Sequence, residues 1–533
     1  MPILNTKNYK EFTVVDSESG LVLKTFIGAK NAGKCLPGDT VTVTETGCVL
    51  VSRCTQPTIA GLLELNSKVK FGYSGRNVPI YMFVPFNESY PPFVVGCSEK
   101  DTSVNRLALI RFEGLWDDGF PRGLLQRLLP IGAETEALFW TYTPLACEKY
   151  KGPLPSVADL TGRQELGSGT FHIDPVGCKD VDDVLTFDGD DCVIITIADV
   201  AATIVEGSDL DVRASRICQT FYQDGVQPKH MFPADLSESQ MSLLSGDRPG
   251  LSLRVCLKTL DCTWFESVVH VEKTFTYESI YEELELCQKL RRMSSAFGLE
   301  SDDSHKWIEA AMKFYNIQAA KLLKAKGCGV LRSHKAPDVE KLESYTSVDP
   351  SLAFLAYNAA IYVSGPYDES VNHWGLGETA YTHATSPIRR YADLINQRAL
   401  KAILFGKESS GCAGIDVTYM NSVGKTAKQH DRDYVYLTAI KKSLTGSIVG
   451  KLITIKEYEE GIVKLSFFVP QWGIIVKTKY KKGVEENTVV SKDETLCATT
   501  VIGANYCISY HADLRARSWK KRVILRLEAR VEA

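Results

Sequence analysis

Residues 171–187 read FHIDPVGCKDVDDVLTF, in which Asp174, Asp180, Asp182 and Asp183 crowd four carboxylates into ten residues beside an apolar run. Like charges at that density repel and raise one another's pKa unless cations neutralise them, so a hard divalent metal is the natural partner. A solvated acidic turn is the equally simple alternative, because Asp is common in turns. An EF-hand loop does not fit: after Asp188 and Asp190 the next ligand position is Cys192, and the glycine sits in the wrong place. What remains is Mg2+ or Mn2+ held by a few carboxylates, waters and substrate oxygens. Magnesium sites of that kind are usually completed by substrate phosphate.

A phosphate substrate asks for cations of its own. In YTHATSPIRRYADLINQRAL, residues 381–400, Pro387 can open a helix running to Leu404, capped by Ser386 or Thr385, with Arg389 and Arg390 in its first turn. Cations there oppose the helix dipole at about 0.3–1 kcal/mol each, while the free N–H groups favour an anion. A bound phosphate reconciles the two. The plain alternative is an Arg389–Asp393 pair four residues apart, worth only about 0.2–0.5 kcal/mol.

Working outward, Val184–Phe187, the turn residues Asp188 and Gly189, and CVIITIADV read as a hairpin immediately after the acidic cluster. Helical spacing predicts an amphipathic helix over Ser304–Lys326 with Gly327 as its stop, and further helices over Ser351–Val363, Pro387–Leu404 and Val417–Ser443. These make residues 151–444 an α+β domain. Before it, short β-rich runs such as DTVTVTETGCVLVSRC and VPIYMFVPF predict two small barrels, over 1–61 and 62–150, with a break near Leu62. After it, strands return over 445–533 and suit a last OB-like barrel. The fold class expected is therefore multidomain, with β modules flanking a central α+β domain.

Composition narrows the function classes. The 533 residues are 44% hydrophobic and 24% charged, and no apolar run approaches the ~18 residues a membrane span needs. The opening MPILNTKNYKEF has no long apolar run behind basic residues, so no secretory signal is expected. Fifteen cysteines without a CxxC pair indicate neither a disulfide framework nor a zinc site. A reduced cytoplasmic location, or a nuclear one, fits. The net charge of −4 means that any polyanion must be met by a locally basic channel.

With both stretches in view, the chain resembles the RNase II/RNase R (RNB) family, and in layout its eukaryotic branch that includes the catalytic subunit of the RNA exosome. The family's Asp, five residues, Asp-x-Asp-Asp pattern is matched by Asp174, Asp180, Asp182 and Asp183. IADV at 197–200 follows, and SPIRRYADL at 386–394 resembles the second signature. IEAAMKFYNIQAAKLL is similar to a family helix that carries an Asn, here Asn316. CLPGDTVTV at 35–43 and FPRGLLQRLLPIGAETEA at 120–137 resemble the branch's cold-shock-like domains. The resemblance implies two cold-shock-like OB domains, an α+β RNB domain and a terminal RNA-binding OB domain. No additional endonuclease domain is seen ahead of the β modules.

It also implies a Mg2+-dependent, processive 3′ to 5′ exoribonuclease releasing nucleoside 5′-monophosphates from single-stranded RNA. By resemblance, Asp174, Asp180, Asp182 and Asp183 are metal-site residues, Arg389 neutralises phosphoryl charge, and Asp183 organises a second ion or the leaving oxygen. Tyr277 lies near the scissile phosphate, Tyr222 stacks a terminal base, and Arg390 holds a neighbouring phosphate or the fold. Trp519, Lys520 and Lys521, in HADLRARSWKKRVILRLEARV, mix cations with an aromatic in the manner of single-strand binding. Partners are then RNA and no membrane, the chain acting as a monomer or within a larger RNA-decay complex.

Three departures from the family pattern stand out: Ala201 and Ala202 in place of Ser-His, Gln397 in place of a His, and RICQTFY at 216–222 in place of an Arg-Gly stretch. They keep open a catalytically weak member serving as an RNA-binding scaffold. A phosphodiesterase acting on small nucleotides is disfavoured by three β modules.

Overall fold

The computed structural model describes the chain except residues 17–20, 55–56, 117–118, 144–148, 408–413, 492–493, 495, 514–522 and 532–533. The chain divides into two compact units, one made of 149–346 and 351–425, the other of 1–148, 347–350 and 426–533.

The 149–425 unit is built on a seven-stranded sheet. Its strands are β1 (Gln164–Glu165), β2 (Phe171–Ile173), β3 (Asp183–Asp188), β4 (Cys192–Ala198), β5 (Arg248–Cys256), β6 (Cys262–Val269) and β7 (Lys273–Phe275). Their spatial order is β1-β6-β5-β4-β3-β2-β7. β3 and β4 form the expected antiparallel hairpin, with Asp183 opposite Ile197 and Asp188 opposite Cys192. Alternation then decides the two faces. Val193, Ile195 and Ile197 with Leu251, Leu253 and Val255 point into one core. On the opposite face Thr196, Ser252 and Ser267 join hydroxyl to hydroxyl at 2.6 and 2.8 Å, so these buried polar groups are satisfied. Gly250 has no substitute here: a Cβ would lie 2.5 Å from Thr196 Cγ2 and 2.6 Å from Ser267 Oγ.

The helices of this unit include α1 (Asp209–Ile217), α2 (Leu284–Ala296), α3 (Ser304–Lys326) and α4 (Tyr391–Phe405). α3 has the expected bounds for local reasons: the Asp303 side chain accepts from His305 N, and Gly327 closes the helix at φ 65°. Its buried stripe, Trp307, Ile308, Ala311, Tyr315, Ala319 and Leu323, covers the apolar face of the sheet. Each large side chain so buried contributes about 1.5–3 kcal/mol.

Two expected helices differ. The one expected from Pro387 begins only at Tyr391, so Arg389 and Arg390 precede it, and Arg390 is extended at φ −137°. Over 351–363 there is instead a 3-10 turn, Pro350–Leu355, and a strand, Ile361–Ser364, paired with Val330–Ser333. The β-favouring Ile-Tyr-Val triplet wins there because Asn421 brackets Tyr362, accepting from its N–H at 2.7 Å and donating to its C=O at 2.8 Å.

In the other unit, five strands from Pro2–Thr6 to Cys48–Ser52 form one sheet, and Ile59–Leu63, Ile80–Pro85, Phe93–Gly96, Arg106–Phe112 and Arg122–Leu128 close into a barrel. The break expected near Leu62 therefore falls inside a strand, because Ile59–Leu63 pairs on both edges with barrel neighbours. Seven strands from Thr445 to Arg530 make a third sheet. Leu437 and Ile440, near the end of the helix Val417–Lys442, belong to that sheet's core, which is why 426–444 groups with it and not with the α+β unit. Among the described residues no helix is long and apolar enough to cross a membrane.

Candidate active site

The acidic loop leaves β2 and enters β3, and its backbone is pinned at both ends. Asp174 N donates to Phe275 O at 3.1 Å, Leu243 N to Val181 O at 3.0 Å, and Ala198 N to Asp182 O at 2.8 Å. Val181 N donates to Ser242 Oγ at 3.1 Å, and the Val181 side chain is buried. One apolar anchor thus fixes the backbone between Asp180 and Asp182.

Each carboxylate has its own setting. Asp174 Oδ2 meets His172 Nδ1 at 2.8 Å, and Asp180 accepts the Tyr222 hydroxyl. Asp182 is almost fully buried and both its oxygens are engaged: Oδ1 accepts from Ile388 N at 2.9 Å and Oδ2 from Arg389 Nε at 3.0 Å. Burial pushes the Asp182 carboxyl up, more strongly than Arg389 and the Ile388 amide pull it down. Asp183 is pushed up to about 7, by burial first and the Asp174 charge second, against Arg389, His172 and Arg390.

The arginine arm, 384–390, is held by side chains and not by a helix. Asn316, buried on α3, accepts from Ala384 N at 2.7 Å and donates toward Thr385 Oγ1 and the Tyr381 hydroxyl at 3.4 Å. Asp393 Oδ1 accepts from Ser386 N and from Arg390 Nη2, both at 2.8 Å. Arg390 is therefore turned onto Asp393, three residues on, while Arg389 turns to Asp182. The Arg389–Asp393 pair considered from spacing does not form. The RICQTFY stretch runs alongside: Thr220 N donates to Arg389 O and Tyr391 N to Cys218 O, both at 2.8 Å. Cys218 adopts φ 64°, a conformation glycine takes without strain. That is a local cost here, in the stretch where the resemblance leads one to expect Arg-Gly.

Two tyrosines complete the site. Tyr222 is 45% exposed, so its ring face is open while its hydroxyl is held. Tyr277 is pushed up to about 12 by burial, then by the Asp183 and Asp174 charges, and it lies face to face on His305 with centroids 3.7 Å apart. Ser304 Oγ donates to Tyr277 O at 2.7 Å and fastens this pair to the start of α3. Trp519, Lys520 and Lys521 lie outside the described residues.

The departures Ala201 and Gln397 meet in space. Gln397 Oε1 accepts from Ala201 N at 2.9 Å and Nε2 donates to Ala198 O at 2.8 Å. Asp199 beside them accepts from Arg163 Nη2 at 2.7 Å and Lys401 Nζ at 2.5 Å, with Glu266 also within reach of both cations. IADV thus anchors α4, and hence the arginine arm, to the sheet. Sequence reading missed His172, Lys401 and Arg163, offered Asp393 to Arg389 where the structure gives it to Arg390, and left Asn316 without a role. The signal for Asn316 was the resemblance of its helix to a family helix that carries an Asn.

Among the described residues no group of three His, Cys, Asp or Glu side chains stands in a metal-holding arrangement. The donor chemistry nevertheless fits a hard divalent cation, since the site offers carboxylate oxygens, with Asp183 raised by burial first and by the neighbouring Asp174 charge second.

Residues 163–300 and 291–406 match the RNB domain family. A curated relative, Ribonuclease R of Helicobacter pylori, is 26% identical over 404 residues, covering 59% of this chain and 61% of that protein. The chain thus spans about three fifths of that relative's length. Among solved structures, Mycoplasma genitalium RNase R in complex with ribose-methylated single-stranded RNA covers 99% of this chain and 100% of that one, with TM-score 0.70 and 16% identity. Yeast Ssd1, described as a pseudonuclease, covers 96% of this chain and 81% of its own, with TM-score 0.58 and 15% identity. Both likenesses establish a shared fold: β modules flanking a mixed α+β domain.

Proposed function

Because residues 163–406 match the RNB domain family, we propose that this chain is a divalent-metal-dependent 3′ to 5′ exoribonuclease of the RNase II/RNase R kind. On this reading it hydrolyses single-stranded RNA to nucleoside 5′-monophosphates, with Mg2+ as the first candidate ion and Mn2+ as the second. The observation that carries the proposal is the Asp182–Arg389 contact, which sets a guanidinium beside the raised carboxyl of Asp183. Phosphoryl transfer needs both signs of charge within one site.

Asp174, Asp180 and Asp183 would hold the ion, because Asp182 has both oxygens engaged. When bound, the ion lowers the pKa of the attacking water and neutralises charge on the leaving 3′-oxygen. Asp182 positions Arg389. Among the described residues the Nη atoms of Arg389 make no hydrogen bond, so they are available to a phosphoryl oxygen whose charge grows in the transition state. Water adds to phosphorus as the P–O3′ bond breaks, and the departing oxygen takes a proton. Tyr277 flanks the carboxylates, and Tyr222 offers its exposed face to a base, a contact worth ~1–3 kcal/mol and tolerant of sequence. Arg390, turned onto Asp393, supports the arm.

A second reading, an RNA-binding member that does not cut, is favoured by one observation: Asp174, Asp180 and Asp182 each hold a protein partner. A time course on 5′-labelled single-stranded RNA with Mg2+ separates the two. Stepwise loss from the 3′ end by the native protein, abolished in Asp182→Asn while RNA is still retained on a filter, supports the nuclease. Retention without shortening by the native protein supports the scaffold.

A further inference from the structure

Outside the site, β4 and β5 bring two cysteines face to face. Cys192 and Cys256 are directly opposite in the antiparallel register. Leu257 N donates to Asp191 O at 2.7 Å beyond one end of the ladder, and Asp199 N to Pro249 O at 2.8 Å beyond the other. Both bonds assign the odd-numbered residues of β4 to hydrogen-bonded pairs, so Cys192–Cys256 is a non-hydrogen-bonded pair. Such pairs bring Cα atoms to about 4.5 Å with both side chains on one face. A disulfide spans Cα separations of about 4.4–6.8 Å.

We propose that Cys192 and Cys256 are a thiol modification site that closes to an intramolecular disulfide when the protein meets a peroxide. Both side chains are partly exposed, so a small oxidant reaches them. Cys256 is the attacking thiol. The polar turn that follows it, Thr259 first and then Lys258, holds its thiol below the ordinary value, which favours the thiolate. Lys258 and Arg292, paired with Asp191, add positive charge next to Cys192. Competing thiols are placed worse. Cys262 lies opposite Val255, on the core face of the sheet. Cys35 and Cys48 are buried at 0% and 3% exposure in the core of the N-terminal sheet.

The chemistry balances. The Cys256 thiolate takes one oxygen of hydrogen peroxide as the O–O bond breaks, giving a sulfenic acid and hydroxide. The Cys192 thiol then attacks that sulfur: the S–S bond forms, the S–O bond breaks, and the thiol proton leaves with the hydroxyl as water. Counting the hydroxide protonated, two thiols and one peroxide become one disulfide and two waters. The bond ties β4 to β5 at the end of the sheet away from Asp183, which pairs with Ile197 at the other end. RNA hydrolysis is therefore expected to be unchanged while thermal stability rises, since the bridge closes a long loop.

The test uses the reduced full-length protein exposed to a small molar excess of hydrogen peroxide, alkylated, and digested without reductant. The expected result is a linked pair of peptides containing Cys192 and Cys256, two hydrogens lighter than their sum and released by dithiothreitol, with an upward shift in unfolding temperature. In Cys192→Ser the linkage is lost and dimedone labels Cys256. Alkylation of both residues as free thiols while other cysteines oxidise overturns the proposal, as does linkage of either to a third cysteine.

Discussion

At the level of single residues, Arg389 and Asp183 carry the sharpest expectations. Lysine at position 389 keeps the charge but loses the planar fork that bonds Asp182 through Nε and leaves Nη for phosphate. Single-turnover kinetics of Arg389→Lys should show a loss of about 100-fold or more in the chemical step. Binding of RNA in chelator should change much less. Asp183 predicts a pH effect on stability. Its carboxyl, pushed up to about 7 in the folded protein, binds a proton that the unfolded chain has already lost. Stability from this group is therefore full below the ordinary Asp value and falls as pH rises from about 4 through about 7. Metal-free protein should melt at lower temperature at pH 7.5 than at pH 5, and Asp183→Asn should flatten that difference.

At the level of elements, the arginine arm depends on two polar anchors that sit on neighbouring helices. Asn316 on α3 takes the Ala384 amide, and Asp393 on α4 takes Ser386 and Arg390. Asn316→Ala leaves a buried N–H unpaired and should cost about 1–3 kcal/mol in urea unfolding. As a positioning residue it should also lower kcat more than it raises KM, a split that a purely structural loss would not produce. Gln397 shows how the family pattern is rebuilt here: one amide side chain spans Ala198 O and Ala201 N, so the alanines of IADVAA and the glutamine of α4 act as one joint.

At the level of the whole molecule, the two compact units have separate hydrophobic cores, one under α3 and the β4–β5 face, the others within the β modules. Unfolding should therefore not be two-state. Scanning calorimetry should resolve more than one transition, and Mg2+ should raise only the one assigned to residues 149–425, by mass action on the folded site. In Asp183→Asn that rise should disappear.

The acidic loop, the β3–β4 hairpin and the bounds of α3 were determined by local sequence, because turn chemistry, period-two alternation and end caps act over a few residues. The four aspartates and Arg389 were legible for the same reason, as motifs at fixed spacing. What only the tertiary structure decided was who partners whom. Arg389 met Asp182 across some two hundred residues and not Asp393 nearby, helix α4 began after its arginines, and Ile361–Ser364 became a strand. In each case a distant group, buried like Asn316 and Asp182 or partly buried like Asn421, offered a backbone or side-chain partner that no neighbour in sequence supplied. Burial makes an unpaired polar group cost more than local propensity can return.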